Sequence, residues 1–128
     1  MTPETIRPAV ARYFAAIRQM DADAWVACFA AQAISYEPGA PAPLQGHAAL
    51  RQFFLGVVGL FQTLDLREDQ IFFSGNRAAV KFTGRGTGKT GRSVVFEGID
   101  VFEINQDGKI HMMWGYWDPA AMIAQLQG

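Results

Sequence analysis

Three polar side chains in this chain stand where the surrounding pattern calls for apolar ones. The first is Asp100. The segment Arg92–Asn105 reads as a strand whose even face carries Val94, Phe96, Gly98, Asp100, Phe102 and Ile104, because alternate side chains of a strand share a face. A carboxylate on such a face is costly unless it is paired, hydrogen-bonded or protonated. Asp100 is therefore either a satisfied core acid or a carboxylic acid of raised pKa lining a cavity, the kind of group that donates or moves protons. The second is Tyr13, the residue with a polar tip in the apolar stripe Ile6, Val10, Tyr13, Ile17 and Met20. A buried tyrosine hydroxyl usually finds a partner. The third is Glu37, which ends the short strand Ala33–Glu37 immediately before Pro38. Taken alone, Glu37 reads as a surface acid.

Other chemistry-like patterns carry less. Gly86-Thr87-Gly88-Lys89-Thr90-Gly91 matches G-x-G-x-x-G and nearly matches a phosphate loop. Both motifs hand phosphate to a helix N-terminus. Here Ser93-Val94-Val95-Phe96 follows and reads as a strand, so the Gly-rich stretch near 84–91 is expected to be a hairpin tip. His47 and His111 have no i, i+4 partner, which argues against a two-His metal site. His47 begins a helix and is expected to be exposed. The single cysteine, Cys28, can form neither an internal disulfide nor a cysteine-based zinc site. It reads as a small buried hydrophobe in an apolar helical stretch. No cofactor and no metal are expected.

The elements that must position these residues follow from periodicity. Thr2 and Pro3 read as the cap and first position of a helix that carries the stripe to Met20. Asp21 or Asp23 caps a second helix burying Trp25, Val26 and Phe29. After the stiff loop of Pro38, Gly39, Pro41 and Pro43, Gly46 opens a third helix. Its broad apolar face holds Leu50, Phe53, Phe54, Val57, Val58 and Phe61. From about Gln62 the period becomes that of strands: Thr63–Phe73, Arg77–Thr83, Arg92–Asn105 and Lys109–Trp117. The turns are Ser74-Gly75-Asn76, the Gly-rich stretch and Gln106-Asp107-Gly108, where Asp-Gly between apolar runs is a strong hairpin signal. Asp118-Pro119 starts a closing helix, Ala120–Gln127. Helices followed by hairpin-linked strands predict an α+β fold, with helices packed on one face of a largely antiparallel sheet.

Composition narrows the function classes. The 128 residues are half apolar and 18% charged, with ten Phe, three Trp and three Tyr. That is one domain's worth of chain with a large core to bury, which excludes disorder. Eleven Lys and Arg against twelve Asp and Glu give a net charge of −1, without the basic excess of a nucleic-acid binder. No window approaches the roughly 18 apolar residues of a membrane span, and the N-terminus lacks the pattern of a signal peptide. A cytoplasmic protein with no membrane association is expected.

Along nearly its whole length the chain resembles the ketosteroid isomerase branch of the NTF2-like superfamily. The residues that carry the resemblance are Arg12-Tyr13, Asp21–Phe29, Glu37-Pro38 with its Pro/Gly loop and Gly46, and the helix Ala48–Phe54. To these are added Gly98-Ile99-Asp100-Val101-Phe102 and the closing hairpin from Gly108-Lys109-Ile110 to Gly115-Tyr116-Trp117. The resemblance implies a cone: three helices on a strongly curved sheet with a pocket inside. It also implies a homodimer through the open sheet face, for which Val95, Ile99 and Val101 offer apolar surface. In the chemistry it implies, Tyr13 and a neutral Asp100 hold the oxyanion of an enolate while Glu37 moves the proton, the pattern established for ketosteroid isomerases. Phe29, Phe54, Phe82, Phe96, Met113 and Trp117 would line a pocket for a small apolar ketone or enone, steroid or polyketide-like. Two positions depart from the family: Glu37 stands where the base is usually Asp, and Phe54 where a second Tyr is often found.

Two other readings share this fold. A SnoaL-like polyketide cyclase would place an acid just after the Trp of its last strand, where this chain has Trp114-Gly115. A limonene-type epoxide hydrolase would need an Asp–Arg–Asp set, approached here only by Arg67-Glu68-Asp69, with Asp118 the acid nearest the last strand. The third reading is a non-catalytic module that binds an apolar ligand or a partner protein.

Overall fold

Thr2 and Pro3 start the first helix. In the computed structural model, which describes residues 1–127, α1 spans Pro3–Arg18. The Thr2 N–H donates to Thr5 Oγ1 at 3.1 Å, and the stripe Ile6, Val10, Tyr13 and Ile17 is buried with Phe14 beside it. Asp21 caps α2, its Oδ1 accepting from the Ala24 N–H at 3.1 Å. This helix is only Ala22–Val26. Phe29 does not belong to it: Phe29 opens β1, Phe29–Tyr36, and Cys28 lies in the turn between them. The reason is tertiary. Phe29 pairs with Ile110 across the sheet, and that pairing outranks the local helical spacing.

The Pro loop leads through a two-residue strand β2, Leu44–Gln45, into α3, Gly46–Val58. Phe61 again falls outside the expected helix, because Gly59 caps α3 and Phe61 is the first residue of β3, Phe61–Ser74. Then come β4, Arg77–Gly88, β5, Ser93–Ile104, β6, Ile110–Trp117, and α4, Pro119–Gln127. The sheet order is β2-β1-β6-β5-β4-β3. Its neighbours are antiparallel except for the parallel pair β1 and β6.

The Gly-rich stretch is not all hairpin tip. Residues 84–88 belong to β4, and only 89–92 turn. Glycine is needed there because aromatic rings lie on the strand. A side chain on Gly84 would come within 2.6 Å of the Phe96 ring, and one on Gly86 within 2.7 Å of the Thr63 carbonyl and 2.9 Å of the Phe61 ring. The strands pack these rings closely, and a register shift between Glu68 and Gln70 adds a bulge; bulges bend and twist a sheet.

On this curved sheet α1 packs against β3, α3 against β1, and α4 along β5. Phe14, Trp25, Phe82 and Phe102 fill the core between them. The pairing of β5 with β6 begins only at Gly98 and Trp117, which leaves the start of β5 with a free edge. Gln125 of α4 covers it, its side-chain amide accepting from the Val95 N–H and donating to the Val95 carbonyl, both at 2.8 Å. Asp118 caps α4, accepting from the Ala121 N–H at 3.1 Å.

Candidate active site

The even face of β5 turns Asp100 into the interior, where it is 3% exposed; Tyr13 is 5% and Glu37 8% exposed. All three line one cavity of about 60 Å³, walled by Trp25, Phe54, Phe82, Phe96, Trp117 and Met122 among others. Thus Tyr13, Glu37, Asp100, Phe54, Phe82, Phe96 and Trp117 meet at one place. Phe29 and Met113 do not reach it. Met113 is fully buried in the core, and Phe29 stands behind the site, its ring 6.2 Å from Tyr13 and 4.7 Å from Trp25.

Each polar group is held by its element. The helical stripe presents Tyr13, and its ring is boxed edge-on by Phe14 at 5.0 Å and Phe102 at 4.8 Å. Glu37 follows the last residue of β1, where Pro38 keeps it extended. Ser35 precedes it by two residues, and its Oγ donates to Glu37 Oε1 at 2.9 Å. Asp100 faces Gly115 across the β5–β6 ladder, and cross-strand neighbours share a face. The missing side chain there makes the space for both acids. A methyl on Gly115 would stand 3.1 Å from Glu37 Oε2 and 3.4 Å from Asp100 Oδ1. The two carboxyl oxygens are therefore at most 6.5 Å apart, the sum of those distances.

Burial and proximity set the charge states. Burial pushes the Asp100 carboxyl well above the usual range, and the nearby Glu37 charge pushes it further. Burial also raises Glu37, but the hydrogen bonds of Ser35 and the Trp117 indole favour its ionised form and oppose the rise. The Tyr13 hydroxyl is pushed well up by burial, then by the charges of Asp100 and Glu37. Both carboxyls thus bind protons more readily in the folded chain than in the unfolded one. Their contribution to stability is full below the ordinary carboxyl pKa of about 4 and is lost as pH rises through the raised folded values. The urea midpoint of unfolding should fall as pH rises above about 4, and it should fall less in Asp100→Asn, which cannot ionise. Parallel pH profiles for the two proteins would contradict this assignment.

The remaining candidates lie elsewhere. His47 is half-buried rather than exposed, because its Nε2 is hydrogen-bonded to the Phe29 carbonyl at 2.9 Å. His111 pairs with Glu103 at 2.6 Å. Cys28 is buried, and burial raises its thiol pKa. Among the described residues no three His, Cys, Asp or Glu side chains group as a metal site requires. Arg67 pairs with Asp65 at 3.0 Å and Asp69 with Lys81 at 2.9 Å, and none of these four lines the cavity. Asp118 is an exposed helix cap. The Asp–Arg–Asp and last-strand acid sets are therefore not part of this cavity; Asp65, Arg67 and Asp69 line a separate hollow with Thr83 and Arg85. Sequence reasoning missed Ser35, Gly115 and Met122. Only Ser35 left a local signal, two residues from Glu37 on the same strand face.

Comparison with known proteins identifies the family. The SnoaL-like domain matches residues 10–112. The chain belongs to the SnoaL-like family. This SnoaL-like chain is also 29% identical over 119 residues to a steroid Δ-isomerase of Nocardioides simplex, covering 92% of this chain and 94% of that protein. Its fold is that of an NTF2-like protein of unknown function from Burkholderia pseudomallei, with TM-score 0.84, 22% identity and all of both chains covered. It is also that of an LEH-like epoxide hydrolase from M. tuberculosis, with TM-score 0.76, 23% identity, and 98% of this chain and 91% of that one covered. The protein thus carries its SnoaL-like sequence on the fold of that NTF2-like protein, helices packed on a curved six-stranded sheet. Among its described residues no helix is long and apolar enough to cross a membrane.

Proposed function

We propose that this SnoaL-like protein moves a proton next to the carbonyl of a small, flat, apolar ketone or enone, as ketosteroid isomerases do. One observation carries the reading: the two acids of the cavity have unlike partners. Glu37 has the Ser35 hydroxyl at 2.9 Å to hold its negative form. Asp100 is raised by burial and by Glu37, with no opposing donor among the described residues. Over a common pH range Glu37 is ionised and Asp100 is neutral, which divides the roles of base and donor. Glu37 takes a proton from the carbon next to the carbonyl. The electron pair moves onto the carbonyl oxygen, where the O–H groups of Tyr13 and Asp100 receive it. Glu37 then returns the proton two carbons further along, and the double bond moves into conjugation. No oxidant or second substrate is consumed.

The steroid Δ-isomerase relative supports this class of substrate. At about 60 Å³ the cavity is small beside the roughly 300 Å³ at which drug-sized ligand sites begin. A substrate enters by displacing the half-buried Phe53, Val57, Phe96 and Trp117 that stand around it. The test is α-hydrogen exchange into β,γ-unsaturated cyclic ketones in D₂O, followed by NMR. Exchange with movement of the double bond is the expected result. Tight binding of these ketones without exchange would instead favour a ligand-binding module.

The outer sheet face carries the proposed homodimer contact. Tyr36, Val95, Ile99 and Tyr116 are 41–60% exposed there, an apolar surface on a chain of this size. Light scattering should give twice the 14.1 kDa chain mass, and Ile99→Lys with Tyr116→Lys should halve it. A wild-type monomer at tens of micromolar would rule the dimer out.

A further inference from the structure

Trp25 is a polar group of the cavity that this mechanism leaves unused. It is 2% exposed, and its Nε1–H has no hydrogen-bond partner among the described residues. A buried N–H left unpaired is costly, so such a group calls for an explanation. The ring cannot easily turn away: it is stacked on Phe54 at 4.7 Å and 22°, and it packs on Phe29 at 4.7 Å. Its centroid is 5.9 Å from that of Tyr13. Both side chains line the same cavity, and among the groups around Tyr13 Trp25 is the one that favours the phenolate.

We propose that Trp25 completes a relay onto the ligand's oxygen: its N–H donates to the Tyr13 hydroxyl oxygen while Tyr13 donates to the carbonyl or enolate oxygen in the cavity. This rests on the oxyanion reading of the site. The physical reason is cooperativity. A hydroxyl that donates becomes a better acceptor, and each bond of a chain polarises the next. As charge grows on the ligand oxygen, Tyr13 draws more on the indole N–H, so the orphaned donor is satisfied when that oxygen is present. Trp25 is thus a positioning residue acting through Tyr13. It would bias the cavity toward ligands with one strong acceptor oxygen, enolates and phenolates, over apolar molecules of equal shape.

The probes are 2-naphthol and naphthalene, which differ by that oxygen. In the wild type, 2-naphthol should move one of the three tryptophan indole N–H peaks downfield in a ¹H–¹⁵N spectrum, the one in contact with Phe54, and naphthalene should not. Trp25→Phe keeps a ring against Phe54 and removes the N–H. It should weaken 2-naphthol about five- to tenfold and naphthalene less than about twofold. Equal weakening of both probes, or an unmoved peak, overturns the relay. If 2-naphthol binding depends on Asp100 but not on Trp25, the relay alone falls. If the wild type does not bind 2-naphthol, or Asp100→Asn binds it equally well, the oxyanion reading falls and the relay with it. Should Trp25→Phe fail to fold, the wild-type peak still decides, since it moves with 2-naphthol alone or the relay is wrong.

Discussion

Glu37→Gln is expected to lower turnover of a β,γ-unsaturated ketone by about 10²- to 10⁴-fold, the usual worth of a positioned general base, with KM little changed. Glutamine fills the same volume and can still accept from Ser35, but it cannot take the proton. Glu37→Asp keeps a base and withdraws it by about one methylene; a misplacement of about 1 Å costs on the order of 100-fold. Ser35→Ala removes the hydroxyl that holds the ionised form. It should therefore raise the Glu37 pKa and move the acid limb of the rate profile to higher pH. Initial rates followed at the absorbance of the conjugated product measure all three. A Glu37→Gln protein that turns over normally would remove Glu37 from the chemistry.

Asp100→Asn should lower kcat by about 10²- to 10³-fold, the range for loss of one oxyanion donor. Asparagine is nearly the shape of the neutral acid and still offers an N–H, so the fold should be retained. What is lost is the acidity of an O–H facing a growing negative charge. Asp100→Ala removes the donor altogether and should cost more. Circular dichroism separates these losses from unfolding.

The order of elements was legible because the apolar period is long and clean. Tyr13 and Asp100 stood out for the same reason: a period of 3.6 or 2 exposes any polar residue that interrupts it. Glu37 had no such frame. At a strand end beside a Pro loop its burial depends on β6, whose Gly115 leaves it room. Phe29 was misplaced because the partner that draws it into β1 is Ile110, far along the chain. The strand 84–88 looked like a loop because the rings that require its glycines come from Phe61 and Phe96. Strand β2 is two residues defined by pairing with Ile34 and Ser35. The size of the cavity is likewise a tertiary matter, set in part by Met122 arriving on α4. The aromatic inventory announced a large core, but not that seven of the proposed site residues would converge on one hollow.

The central claim is that a neutral Asp100 donates, with Tyr13, to an oxygen in this cavity. Its most direct test is a fluorescence titration of wild type and Asp100→Asn with 2-naphthol from pH 5 to 9. The wild type should bind in the cavity about tenfold or more tightly than the variant at the low-pH end, where the raised Asp100 carboxyl is protonated. Equal affinity of the two proteins across that range would contradict the claim.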